Sequence, residues 1–272
     1  MNVLLCGDVM GRSGREMITS QVPNLIDKYN IELTVVNGEN AAGGFGILPD
    51  HCKELFGAGT DVITTGNHVW RQKEIASYIA NEPRLLRPYN YSNKETPGKG
   101  MAIAQTRSGK RVLVVNIMCQ LFMNQIVDSP MYAMQSILDK YKIGNNIDGI
   151  IVDLHGEATS EKMAFAQMFD GQISAVVGTH THIPTADYRI LNNGTAFQSD
   201  LGMCGDFDSV IGMDKKVPIA NFLGKVNAGR MEAATGPGTL CGLLVELGDN
   251  GLATAVNPVR IGANLSNTLP TV

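Results

Sequence analysis

The chain has 272 residues, a formal net charge of −4 at neutral pH and 18% charged residues. That length can bury a large core, as one domain or a tight pair. The weak charge balance excludes the basic footprint of a duplex-DNA binder, and no apolar run approaches the length of a bilayer span.

The N-terminal "MNVLLCGD" reaches an aspartate after a short apolar run, without a basic leader, so no signal peptide is expected. The cysteines, Cys6, Cys52, Cys119, Cys204 and Cys241, are odd in number and scattered. None has C-x-x-C spacing, which argues against a disulfide framework or zinc knuckle and for a reducing, cytoplasmic setting.

Residues 2–7 read as a buried strand and 13–29 as a helix, with Ser13 and Glu16 at capping-box spacing and a kink expected at Pro23. A strand over 32–37 follows, then a loop "NGENAAGGFG", a helix over 48–59, a strand over 61–66 and a helix over 71–83 stopped by Pro83. This β-α-β-α-β-α order makes parallel pairing natural. Residues 100–118 read as two strands turning at "RSGK", 129–142 as a helix and 149–159 as a strand entering a loop. A helix over 160–169, capped by Thr159 or Ser160, and a strand over 173–182 come next. The segments "GTAFQSD", "IANFLGKV" and "GTLCGLLVELGDNGLATAVNPVRI" read as strands, the last a hairpin turning at "GDNG". The expected fold is α/β, two packed sheets with helices on their outer faces. A single catalytic domain over 1–272 is favoured, with room for a small cap element within 85–135.

Four of five histidines fall at the ends of apolar runs: His68 in "TTGNHVW", His155 in "VDLHGEAT", and His180 and His182 in "VVGTHTHIPTAD". Two further runs end in Asp8 and in Glu39 followed by Asn40. Strand, turn and ligand-type residue recur five times. In parallel α/β sheets such loops gather outside the carboxyl ends of the strands, so residues remote in sequence converge on one rim. Each histidine alone reads as a surface or hydrogen-bonded residue, and Asp8 and Glu39 as caps. Together they point to a metal-centred hydrolase. On an extended strand His180 and His182 would point the same way, whereas a tight turn lets them approach different ions.

The segments "GDVMGRSGR", "NGENAAGGFG", "TTGNHVW", "DLHGEATSEK", "VVGTHTHIPTAD" and "TAFQSDLGMCG" resemble the calcineurin-like metallophosphoesterases. Within that superfamily they resemble the YmdB-like bacterial 2′,3′-cyclic-nucleotide 2′-phosphodiesterases, over essentially the whole chain. "GENAAGG" and "DLHGEAT" narrow the resemblance. It implies a four-layer α/β/β/α sandwich of two mixed sheets and two divalent or mixed-valence metal ions per subunit. Asp8 would bind the first ion and His182 would close it. Glu39 would bridge, and Asn67, His155 and His180 would complete the second. The superfamily's D-x-H histidine is absent here, since Met10 stands in its place, and Asn40 would compensate through its carbonyl oxygen. That harder donor set favours Fe or Mn over Zn, with Zn and Mg as the alternatives.

The implied reaction is attack of metal-bound hydroxide on a 2′,3′-cyclic nucleotide, giving a 3′-phosphomonoester. His68, beside the ligands, would protonate the leaving oxygen or steady a phosphoryl oxygen. Arg12, Gly43, Gly44, Phe45 and Thr181 are candidate substrate contacts, with Tyr89 and Tyr91 as further stacking surfaces. Thr179 and Asp187 would orient ligands. Phosphomonoester hydrolysis at the same site, and an RNA-related regulatory role with catalysis secondary, are the rival readings. The resemblance also implies a homodimer or homotetramer.

Overall fold

The computed structural model describes residues 1–225 and 229–270. In chain order the elements are β1 (Asn2–Cys6), β2 (Asp8–Val9), α1 (Gly11–Tyr29), β3 (Ile31–Asn37), α2 (Pro49–Gly57), β4 (Val62–Thr64) and α3 (Ile75–Ile79). The second run is β5 (Met101–Gln105), β6 (Arg111–Met118), α4 (Pro130–Leu138), β7 (Gly149–His155), α5 (Thr159–Met168) and β8 (Ala175–Thr179). The chain closes with β9 (Arg189–Ile190), β10 (Ala196–Gln198), β11 (Met203–Cys204), α6 (Lys216–Phe222), β12 (Thr239–Leu247) and β13 (Ala253–Gly262).

Two mixed sheets result, ordered β13-β12-β1-β3-β4 and β5-β6-β7-β8-β10-β9. In the first, β1, β3 and β4 are parallel and the β12–β13 hairpin is antiparallel. In the second, β6, β7, β8 and β10 are parallel, flanked by antiparallel β5 and β9.

Strand alternation divides the core into layers. Val3, Leu5, Leu33 and Val35 of the first sheet pack against Val112, Val114, Ile151 and Val177 of the second. Their neighbours Leu4, Cys6 and Val36 face the other way, onto Ile18, Val22 and Leu55 of α1 and α2. Likewise Leu113, Val115, Val152 and Leu154 face Met134, Ile137 and Phe165 of α4 and α5. This is the α/β/β/α sandwich, with apolar side chains buried on both faces of the central strands.

Several boundaries differ from the sequence reading. Helix α1 begins at Gly11, whose φ of +58° suits glycine, and runs continuously through Pro23 to a left-handed Asn30. Ser13 does not cap it: its hydroxyl donates to the Gly236 carbonyl at 2.8 Å. Helix α5 starts after Ala158 with no side-chain cap, so neither Thr159 nor Ser160 serves. The helix expected over 71–83 contracts to α3. The expected strand "IANFLGKV" is instead the end of α6, with Val226 outside the described residues. Its apolar run is short enough to fit either period.

Within 85–135, β5 and β6 are integral to the second sheet. The loop after β6 touches the end of β4 where the Gln125 side chain donates to the Asn67 carbonyl at 3.2 Å. Among the described residues no helix is long and apolar enough to cross a membrane.

Candidate metal centre

The parallel strands deliver every candidate ligand to one rim. Asp8 opens β2 directly after β1, held there by pairing with Met203 of β11. Glu39 and Asn40 follow β3, and Asn67 and His68 follow β4. From the second sheet, His155 ends β7, and His180 and His182 follow β8.

Two ligand groups form there. Asp8, Glu39 and His182 make one; Glu39, His155 and His180 make the other; within each, one ligand atom per residue lies within 4.8 Å of the others. Glu39 belongs to both. This buried His/Asp/Glu cluster is a dinuclear metal-binding site. Two further observations fit cations: Asp8 Oδ1 is buried without a hydrogen-bond partner, and carboxylates with imidazoles are donors suited to divalent transition metals.

The ring tautomers agree with this. The Thr179 hydroxyl donates to Asp153 at 2.6 Å and so accepts from His155 Nδ1 at 2.9 Å. His155 Nε2 is thereby turned to Asn67 Oδ1, 2.8 Å away, and Glu39 Oε1, 3.3 Å away. His182 Nδ1 donates to the Ile211 carbonyl at 2.7 Å, which leaves Nε2 facing the first group. The Asn40 amide places its nitrogen 2.9 Å from His182 Nε2 and 3.2 Å from Glu39 Oε1, and its oxygen 2.9 Å from His68 Nδ1. The nitrogen, rather than the expected oxygen, therefore faces the first group. A half-turn of the amide exchanges the two ends, and a cation favours the oxygen.

The metal-free electrostatics describe a centre holding protons in place of ions. Burial pushes Asp8 up to about 7. Burial also works to raise Glu39, but His155, His68 and His180 outweigh it and hold Glu39 below the usual carboxylate range. For His155 burial opposes the charged form, yet the facing Glu39 carboxylate raises it to about 9. Burial, with His155 adding to it, drops His180 to about 3. Burial likewise lowers His68.

The histidine loop is backbone-strained: His180 has φ +104° and His182 φ +69°. A fully buried ion pair braces it. Lys162 of α5 reaches the Thr179 carbonyl at 2.9 Å and Asp200 at 3.1 Å. Asp200 in turn accepts the Thr181 N–H at 3.0 Å and the Gly202 N–H at 2.9 Å. On the opposite side Gly66 presses its backbone onto the ligands: a Cβ there would lie 2.2 Å from His155 Nε2 and 2.3 Å from Glu39 Oε2.

A cavity of about 340 Å³ opens over the cluster, lined by Glu39, Asn40, His180 and His182 together with His68, Thr181, Gly44 and Phe45. The Phe45 ring meets His68 edge-on, with centroids 5.2 Å apart. Arg12 and Gly43 line a neighbouring cavity instead, and Arg12 pairs with Glu16 at 2.6 Å. Tyr89 and Tyr91 line a third, away from the ligands. Asp187 accepts from Thr185 at 2.7 Å and from the Ser199 N–H at 3.1 Å, in the loop beyond His182. Met10 is buried against Met203 and Met213 beside the site.

The sequence reading missed Gly66, Asp153, Lys162 and Asp200. Asp153 had a signal, a carboxylate inside the apolar run "IIVDLH". Lys162 had none, since a lysine on a short helix reads as solvated.

Several known proteins are similar to this chain over nearly its whole length. A 2′,3′-cyclic-nucleotide 2′-phosphodiesterase of Bacillus subtilis is 41% identical over 249 residues, covering 92% of each chain. A hypothetical protein of Thermus thermophilus superposes with a TM-score of 0.89 at 36% identity, covering 97% of this chain and 100% of that one. A phosphatase of Mycoplasma pneumoniae gives 0.89 at 32% identity, covering 96% and 93%. The family model for YmdB-like proteins matches residues 4–259, and the chain belongs to that family.

Proposed function

We propose that the chain hydrolyses 2′,3′-cyclic nucleotides to 3′-phosphomonoesters at its dinuclear centre. The observation that carries this reading is Glu39, common to both ligand groups, beside the unpartnered Asp8 Oδ1. The substrate class is supported by the activity named for the Bacillus subtilis relative.

Asp8, Glu39, Asn40 and His182 would hold one ion; Glu39, Asn67, His155 and His180 the other. Bound there, the ions supply Lewis acidity that makes water nucleophilic near neutral pH and draws charge from phosphoryl oxygens. The chain's own groups do the rest. Glu39 offsets the mutual repulsion of two cations. As the water oxygen bonds to phosphorus and the bond to the 2′-oxygen breaks, His68 donates a proton to that oxygen. His68 lines the cavity beside the ligands, and its backbone N–H is anchored on Glu39 Oε2 at 3.2 Å. Burial makes its charged form a ready donor, and an incoming phosphate anion favours that form. Phe45 offers a face to the base, Gly44 and Thr181 line the phosphate end, and Arg12 would meet parts of a substrate extending beyond the metal cavity.

Fe or Mn, rather than Zn, suits a first site with an amide oxygen in place of a histidine. Five free, buried cysteines favour a cytoplasmic setting. The exposed apolar side chains Phe122, Ile126 and Phe222 favour a homodimer or homotetramer, readable by light scattering.

The test is a substrate panel on metal-loaded protein with products read by phosphorus NMR. A 3′-phosphomonoester from the cyclic nucleotide is expected. Rapid release from monoesters with the cyclic substrate untouched would overturn the reading in favour of a phosphomonoesterase.

A further inference from the structure

The cavity over the ligands is unusual in its charge. Among the described residues no lysine or arginine lines it, and its one charged side chain besides the ligands is Glu157. Glu157 follows β7 two residues after His155, is half exposed, and sets its carboxylate 3.3 Å from His180 Nε2. Part of the lining is apolar, formed by Phe45, Ile211, Met213 and Met231.

Sites that hold a phosphomonoester dianion ordinarily surround it with guanidinium or ammonium groups. Here positive charge is confined to the metal positions and the His68 imidazole, with no guanidinium or ammonium in the lining, and Glu157 adds a negative charge. We infer that Glu157 is a specificity-determining residue that selects monoanionic phosphodiesters and disfavours dianionic monoesters, the product among them. A phosphodiester carries one negative charge, whereas a monoester carries about −1.5 to −2 at neutral pH. The second charge meets the Glu157 carboxylate with no lysine or arginine in the lining to offset it. The apolar wall accepts the rest of the diester, whose uncharged substituent costs little to desolvate. The same repulsion hastens release of the 3′-phosphomonoester. This inference rests on the diesterase reading above and gives it a charge-based cause.

The test compares wild type with Glu157→Gln and Glu157→Asp, metal content verified, on bis(p-nitrophenyl) phosphate and p-nitrophenyl phosphate. Glu157→Gln should shift the ratio of kcat/KM values about five- to tenfold toward the monoester, the scale of one charge interaction across a partly solvated cavity. Inhibition by a 3′-nucleoside monophosphate should tighten in parallel, and Glu157→Asp should retain the wild-type preference. A purely structural role at His180 would lower both activities together and leave the ratio unmoved, which overturns the proposal. Should wild type fail to cleave the diester, the diesterase reading falls by itself. The inhibition constants of inorganic phosphate and dimethyl phosphate then still decide whether Glu157 discriminates by charge.

Discussion

The two sheets deliver their ligands to the same rim by different means. The first sheet places the candidate ligands Asp8, Glu39, Asn40 and Asn67 on backbone without positive φ, and space is the constraint, since a Cβ at Gly66 would clash with Glu39 and His155. The second sheet places His180 and His182 on left-handed backbone, braced from behind by Lys162 and Asp200. One side depends on what is kept small, the other on what is held under tension. Position can thus be set by exclusion or by restraint, and the two should fail differently.

The largest effect is expected on the side governed by space. Gly66→Ala should displace both His155 and Glu39, remove bound metal and reduce activity by roughly a hundredfold or more. Metal analysis beside circular dichroism checks this; an alanine variant that retained both ions would break the comparison. His68→Asn, also in the first half, sharpens it by separating chemistry from binding. Turnover should fall roughly 10²- to 10⁴-fold while metal content holds.

On the restrained side, Lys162→Met leaves Asp200 buried and unpaired. It should cost about 3–5 kcal/mol of stability and about ten- to a hundredfold in metal affinity. Thermal unfolding and metal titration read both. Adding Asp200→Asn should recover stability more than affinity, because the neutral amide can replace the charge but not the full set of contacts to the Thr181 and Gly202 N–H groups.

The smallest effect is in pH. Asp8 at about 7 and His155 at about 9 hold protons that metals must displace. Apparent metal affinity should therefore rise with pH through 7 and level off near 9, with protons released on binding. Stability of the metal-free protein follows the opposite sign. Both pKa values are raised by folding, so both contributions are lost as pH rises, for Asp8 from about 4 to 7 and for His155 from about 6.5 to 9. Calorimetry in buffers of different ionisation enthalpy, and melting at pH 7 and 9 with chelator, check the two statements.

Much of this was legible in the sequence. Apolar runs ending in Asp8, Glu39, His155 and His180 announced strand ends, and parallel order then required one rim. Glycine-rich loops and the "GDNG" hairpin were equally plain. What escaped notice depends on tertiary neighbours. Lys162 is an ordinary helical lysine until Asp200 and the Thr179 carbonyl surround it. Gly66 looks like any turn glycine until His155 arrives from the other sheet. The α6 segment carries too few residues to declare a period. The Asn40 amide, its oxygen toward His68, follows from contacts that no spacing encodes.

Glu39 carries a consequence of its own. One carboxylate common to both ligand groups means that neither ion has an independent affinity. The first ion to bind would orient the donor that the second shares, while its own positive charge would oppose that second binding. Loading should therefore be stepwise, with two unequal affinities rather than two identical events. At limiting metal the population would hold half-filled centres.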